Sequence, residues 1–134
     1  MRYMLLIYLE EQALGETERQ ACYLESTQLA QELHLNGQFL AANPLHPTST
    51  ATSIQVRDGK RLVTDGPFAE TREQLGGYFL IDARDLDEAI AIAARIPMAR
   101  RGTVEVRPVV ELAGLPPSST STPSESQHSP RRRS

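Results

Sequence analysis

Cysteine is nearly missing from this chain: Cys22 is the single one. One thiol cannot close an intramolecular disulfide, so a reducing cytoplasm is the expected setting. Long apolar runs are missing too. No stretch approaches the ~20 residues that span a bilayer. The apolar start "RYMLLIYL" meets Glu10-Glu11 before it reaches the length of a signal peptide. No membrane partner is therefore expected. The three histidines and one cysteine show no short ligand spacing, which argues against a metal site. "QLGGYF" lacks the lysine and the spacing of a phosphate-binding loop. No internal repeat is present, and no cofactor is expected.

What remains is a chain of 134 residues with 40% hydrophobic and 23% charged residues, suited to one soluble globular domain. Its net charge of −3 is uneven, because "PRRR" near the end supplies three of the fourteen basic residues. The rest is more acidic, so direct nucleic-acid binding by the folded part is not expected. Residues 113–134 are rich in Ser, Thr and Pro and almost free of large apolar side chains. Such a segment buries too little surface to offset its ordering entropy, and we read it as a disordered tail behind a folded core of residues 1–112.

Within that core, Arg2 to Leu9 is apolar on both alternating faces, the pattern of a strand covered on two sides. A helix is expected from about Glu16 to Asn36, with Cys22, Ser26, Leu29, Ala30 and Leu33 on one stripe and Gly37 as its left-handed stop. Gln38 to Asn43 reads as a strand. Residues 52–64 read as a hairpin turning at Asp58-Gly59. Gly77 to Ala83 is another strand. Asp85 and Glu88 carry capping-box spacing ahead of a second helix whose stripe is Leu86, Ala89, Ile90 and Ala93, ended by Pro97. Thr103 to Leu112 is the last strand.

This order, βαβ, an inserted β-hairpin, then βαβ, is an α+β ferredoxin-like arrangement. Two helices cover one face of its sheet. The first strand still carries Met4, Leu6 and Tyr8 on the other, and a large apolar face left wet is avoided by monomers. We therefore expect a homodimer packed sheet to sheet, a dimeric α/β barrel.

"VTDGPFAETREQLGGYFLI" links the hairpin to the fifth strand. Asp65 can take backbone amides in an Asx-type turn, Gly66 permits positive φ, and Pro67 fixes its own φ. Phe68 offers an apolar anchor. Glu70, Arg72 and Glu73 suggest one polar helical turn, and Gly76-Gly77 allows close backbone approach. "DGPFAETREQLGGYFLIDARDLDEAIAIAARIP" followed by "GTVEVRPV" resembles the DGPF group of YCII-related proteins, over about Met1 to Val109. The resemblance implies the same ferredoxin-like fold and dimeric barrel. It also implies a link, by gene neighbourhood, to extracytoplasmic-function sigma factors. The wider group is suspected of chemistry using a helix-borne His and an Asp before a proline. The matching positions here are near Ser26 and at Ile96, so this chain departs from that pattern.

Candidate residues come from the motif and the loops. Asp65 and His46, the latter between prolines in "NPLHP", are the candidate catalytic acid or base. Arg107, Phe68, Tyr78, Gly66 and Pro67 are candidates for binding a small-molecule ligand, with Arg107 needing an anion if the barrel buries it. Cys22 lies on the apolar stripe, which suits a packed thiol. Two functions are carried forward: a small-molecule enzyme or binder using a pocket between the sheets, and a regulatory module that contacts a transcription protein.

Overall fold

The computed structural model describes residues 1–117. Eight principal elements follow in order: β1 (Arg2–Leu9), α1 (Glu16–Leu35), β2 (Phe39–Pro44), β3 (Thr52–Arg57), β4 (Lys60–Asp65), β5 (Gln74–Asp82), α2 (Leu86–Ala93) and β6 (Thr103–Pro108). Four strands form an antiparallel sheet in the order β2-β5-β1-β6, while β3 and β4 pair only with each other. With the hairpin set aside, this is the ferredoxin-like topology expected from the pattern. The tail expected beyond residue 112 falls largely on residues 118–134, which lie outside the described residues.

Period-two patterning sends Tyr3, Leu5 and Ile7 of β1 to one face, with Phe79 and Ile81 of β5 beside them. Leu29 and Leu33 of α1 and Ala89, Ile92 and Ala93 of α2 close over that face, with Ile96 and Met98 filling the end. Leu5, Ile81 and Ile96 are fully buried. Each such side chain stabilises the fold by roughly 1.5–3 kcal/mol. Cys22 and Ala30 pack at the margin of the cluster, so the stripe expected for α1 is the one found.

Local chemistry sets the boundaries. Gly15 donates its N–H to the Glu18 carboxylate 2.9 Å away at the start of α1. Asp85 accepts from the Glu88 N–H at 2.9 Å, and Glu88 reaches back to the Arg84 N–H at 2.7 Å, which caps α2. The β3–β4 turn takes φ +51° at Asp58 and +75° at Gly59, the tight hairpin turn that Asp-Gly favours.

Three expectations need correcting. The α2 stripe is rotated: Ala89, Ile92 and Ala93 are buried, whereas Leu86 and Ile90 are about half exposed. The helix is only eight residues long, and the chain continues its buried row through Ile96, so the i, i+3, i+7 set of Ala89, Ile92 and Ile96 wins. β6 ends at Pro108 rather than at Leu112, with one further bond to β1 from the Val109 N–H to Arg2 O at 3.0 Å. β5 begins at Gln74, three residues early, because the chain enters the sheet through a bulge.

That bulge explains Gly76-Gly77. Ile7 pairs with Gly77 and Tyr8 with Leu75, leaving Gly76 as the extra residue. A Cβ on Gly76 would strike Leu9, and one on Gly77 would lie 3.0 Å from the Asn43 carbonyl. The bulge also turns Leu75 onto the same face as Tyr8.

Candidate functional site

The helix-free face of the four-stranded sheet follows from the register. Ala41, Leu80, Met4 and Arg107 form one row across it. Asn43, Tyr78, Leu6 and Glu105 form the next, and Leu75, Tyr8 and Thr103 the third. Its centre is apolar and its two edge strands are polar. Met4, Leu6, Tyr8, Tyr78 and Leu80 are only half-buried, and none joins the core cluster behind the sheet. Strand spacing makes this surface roughly 14 by 20 Å, close to the largest apolar patch of a typical monomer, which is often functional.

Polar groups edge this face on both sides. The Asn43 Nδ2 donates to the Tyr78 hydroxyl at 3.1 Å. On the opposite edge the Arg107 Nε stands 4.0 Å from the Glu105 carboxylate, too long for a hydrogen bond. Arg107 is therefore loosely held, and its guanidinium donors remain available to an anion.

The segment from Asp65 to Gln74 is a tied connector. Asp65 ends β4 opposite Thr52. Gly66 has φ +105°, donates its N–H to Ala51 O at 2.7 Å and accepts from the Ser53 hydroxyl at 2.8 Å. Only glycine takes that backbone conformation freely, so the Gly in the motif has a local cause. The Gly66–Pro67 bond is trans. Two details depart from the sequence reading. Residues 70–73 form no helical turn, only a bend at Arg72 and Glu73. Their backbone is held instead by side chains: Arg72 donates to Glu10 at 2.9 Å, and Gln74 donates to Thr71 O at 2.6 Å. Phe68 is no anchor within its subunit, for it is 79% exposed.

His46 lies in the exposed loop after β2, where Leu45 donates its N–H to Gly76 O at 2.8 Å. Glu11 holds the far end of that loop by accepting from both the Thr48 N–H (2.9 Å) and the Thr48 hydroxyl (2.8 Å). Sequence reasoning passed over Glu11, because a charged residue after a strand has no distinctive pattern. Tyr78 and Arg107 share the open face, while Asp65, Gly66, Pro67 and Phe68 cluster at the hairpin base. Arg107 on β6 is three strand spacings, roughly 14 Å or more, from the β2 edge that carries His46. One subunit thus does not bring Asp65, His46 and Arg107 together. Two shallow depressions, one beside Met1 and Gln38 and one between Glu32 and Arg95, involve none of the candidates. Among the described residues no group of three His, Cys, Asp or Glu is placed to hold a metal ion, and no helix is long and apolar enough to cross a membrane.

A family model for the YCII-related domain matches residues 1–113. The chain belongs to the YCII-related family. It is also similar to the uncharacterised protein R00369 of Rhizobium meliloti (strain 1021), at 46% identity over 67 residues. That alignment takes in 48% of this chain and 54% of the relative, so it spans about half of each. The family match leaves the chemistry of this YCII-related chain to its own residues.

Proposed function

We propose that this YCII-related protein, of the DGPF type by its Asp65–Phe68 segment, acts as a homodimer that binds a small organic anion between two apposed sheets. The single observation that carries this reading is the open sheet face, apolar across Met4, Leu6 and Leu80 and edged by Arg107 and by the Asn43–Tyr78 pair. Closing two such faces on each other removes the apolar rows from water, at ~25 cal/mol for each Å² covered. It also desolvates Arg107. A guanidinium taken out of water needs a well-placed counter-charge, and Glu105 at 4.0 Å is a poor one. A carboxylate or phosphate of a ligand meets that need bidentately. Tyr8 and Tyr78 supply flat walls for the ligand's apolar body.

The distance between Arg107 and His46 favours binding over catalysis. It also keeps in view the second reading, a regulatory module linked to an extracytoplasmic-function sigma factor. Native mass spectrometry of protein taken directly from cells tests the first reading. The expected spectrum is a dimer carrying a small anionic molecule, which the Arg107→Gln dimer releases. A dimer that carries nothing, and that binds no member of a panel of small carboxylates and phosphates, would remove the binding role. Recovery of a stable complex with a sigma factor would favour the regulatory reading.

A further inference from the structure

The β3–β4 hairpin has no cover of its own. Ile54, Val56 and Val63 share one of its faces, and they are 58%, 58% and 59% exposed. Neither strand packs extensively on any element but the other. A two-stranded hairpin standing alone in water is marginal at best, so this one needs a surface to lie on. At its base the hairpin is closed on itself, Gly66 donating its N–H to Ala51 O and accepting from the Ser53 hydroxyl.

The charges of the tip say what kind of surface. Among the described residues eleven are Arg or Lys; six of those are closely ion-paired with a carboxylate and Arg107 stands near Glu105. Three of the four left over, Arg57, Lys60 and Arg61, sit together at the hairpin tip around a single acid, Asp58. The rest of the described chain, outside the hairpin, has 8 basic and 14 acidic residues. A cationic, aliphatic arm is thus attached to an acidic body that it barely touches. That body would repel a polyanion such as nucleic acid, but a second acidic body complements the tip.

We infer that the hairpin is an intersubunit arm. The Ile54, Val56 and Val63 face lies on the second copy of the chain, and Arg57, Lys60 and Arg61 meet that copy's carboxylates. This rests on the sheet-to-sheet dimer proposed above and adds to it a second contact that the sheet face does not include. The arm then embraces the neighbour, and the Asp65–Phe68 segment at its base, with exposed Phe68, is carried toward the junction of the two subunits.

Lys60 is the only lysine in the chain, which permits a direct test. Unlabelled and ¹⁵N-labelled protein are mixed, allowed to exchange, and treated with a carbodiimide that joins amines to carboxylates without a spacer. Peptides linking Lys60 of one isotope to an Asp or Glu of the other are expected. In parallel, Ile54→Ser/Val56→Ser/Val63→Ser is expected to raise the dimer dissociation constant by roughly tenfold or more. Lys60 links found solely within one chain, or absent, together with an unchanged dissociation constant for the triple variant, would overturn the arm and leave the sheet pairing standing. A wild-type chain that stays monomeric would overturn both. If the triple variant misfolds, the cross-links of the wild-type protein decide alone.

Discussion

Adding one methyl group at each of three glycines should produce a graded loss of stability. At Gly102 a new Cβ would overlap the Tyr8 carbonyl and lie 3.2 Å from Leu9 Cα, both backbone of the central strand β1. Neither can move without shifting the sheet. At Gly77 the Cβ would stand 3.0 Å from Asn43 O and 3.2 Å from Pro44 Cα, so β2 must give by a few tenths of an ångström. At Gly76 the obstacle is the end of the Leu9 side chain, which can rotate away. Overpacking costs about 1–3 kcal/mol and sometimes more. Replacing glycine by alanine returns about 0.4–1 kcal/mol by restricting the unfolded chain. The net loss should be about 2–3 kcal/mol for Gly102→Ala, about 1 kcal/mol for Gly77→Ala and near zero for Gly76→Ala. For a domain of this size, at about 4 °C per kcal/mol, Tm should fall by about 10 °C, about 4 °C and hardly at all. Calorimetry on the three purified variants reads this directly. A Gly102→Ala protein as stable as wild type, or a Gly76→Ala protein as damaged as Gly102→Ala, would refute the reasoning, because only the rigidity of the obstructing atoms separates the sites.

Two further outcomes follow from titrating groups. The Gly15 N–H, and after it Arg101, hold the Glu18 carboxyl below the ordinary value of 4.5. A carboxyl that is more acidic folded than unfolded stabilises the protein above the unfolded value, and that contribution fades as pH falls through the folded one. The Tm gap between wild type and Glu18→Gln should be widest near neutral pH and close as pH falls below the ordinary value of 4.5; a gap independent of pH would contradict the cap. At Cys22, burial pushes the thiol above its ordinary 9.0, though Arg101 pulls the other way. Its reaction with an aromatic disulfide at neutral pH should be slower than that of free cysteine and recover on unfolding. A fast reaction in the folded protein would mark the site as more open than its packing indicates.

Much of the fold was legible because local and global signals agree. β1 as a strand, the stripe from Cys22 to Leu33 and the Asp-Gly turn are all found, although only the Tyr3, Leu5 and Ile7 side of β1 is covered. Where it differs, several elements compete for the same core. Nothing in Leu86 to Ala93 says which of two overlapping stripes faces inward until Ile96 continues one of them. The bulge at Gly76 was legible as a close approach but not as a register shift, which needs the partner strand. The site was less legible. Tyr78 and Arg107 could be placed by alternation, but Phe68 has the composition of an anchor and is exposed. Glu11, which secures the His46 loop, carries no pattern at all.

Sedimentation of the wild-type chain beside Leu6→Arg reads whether the open sheet face is an interface. Leu6 sits in the middle row of that face and contributes nothing to the core behind it, so an arginine there should leave the subunit folded. The wild-type protein should sediment at about twice the 14.8 kDa of one chain and the variant, with an unchanged circular dichroism spectrum, at a single chain's mass. A wild-type protein that sediments as one chain at high micromolar concentration, or a folded Leu6→Arg protein that still sediments as a dimer, would contradict the claim.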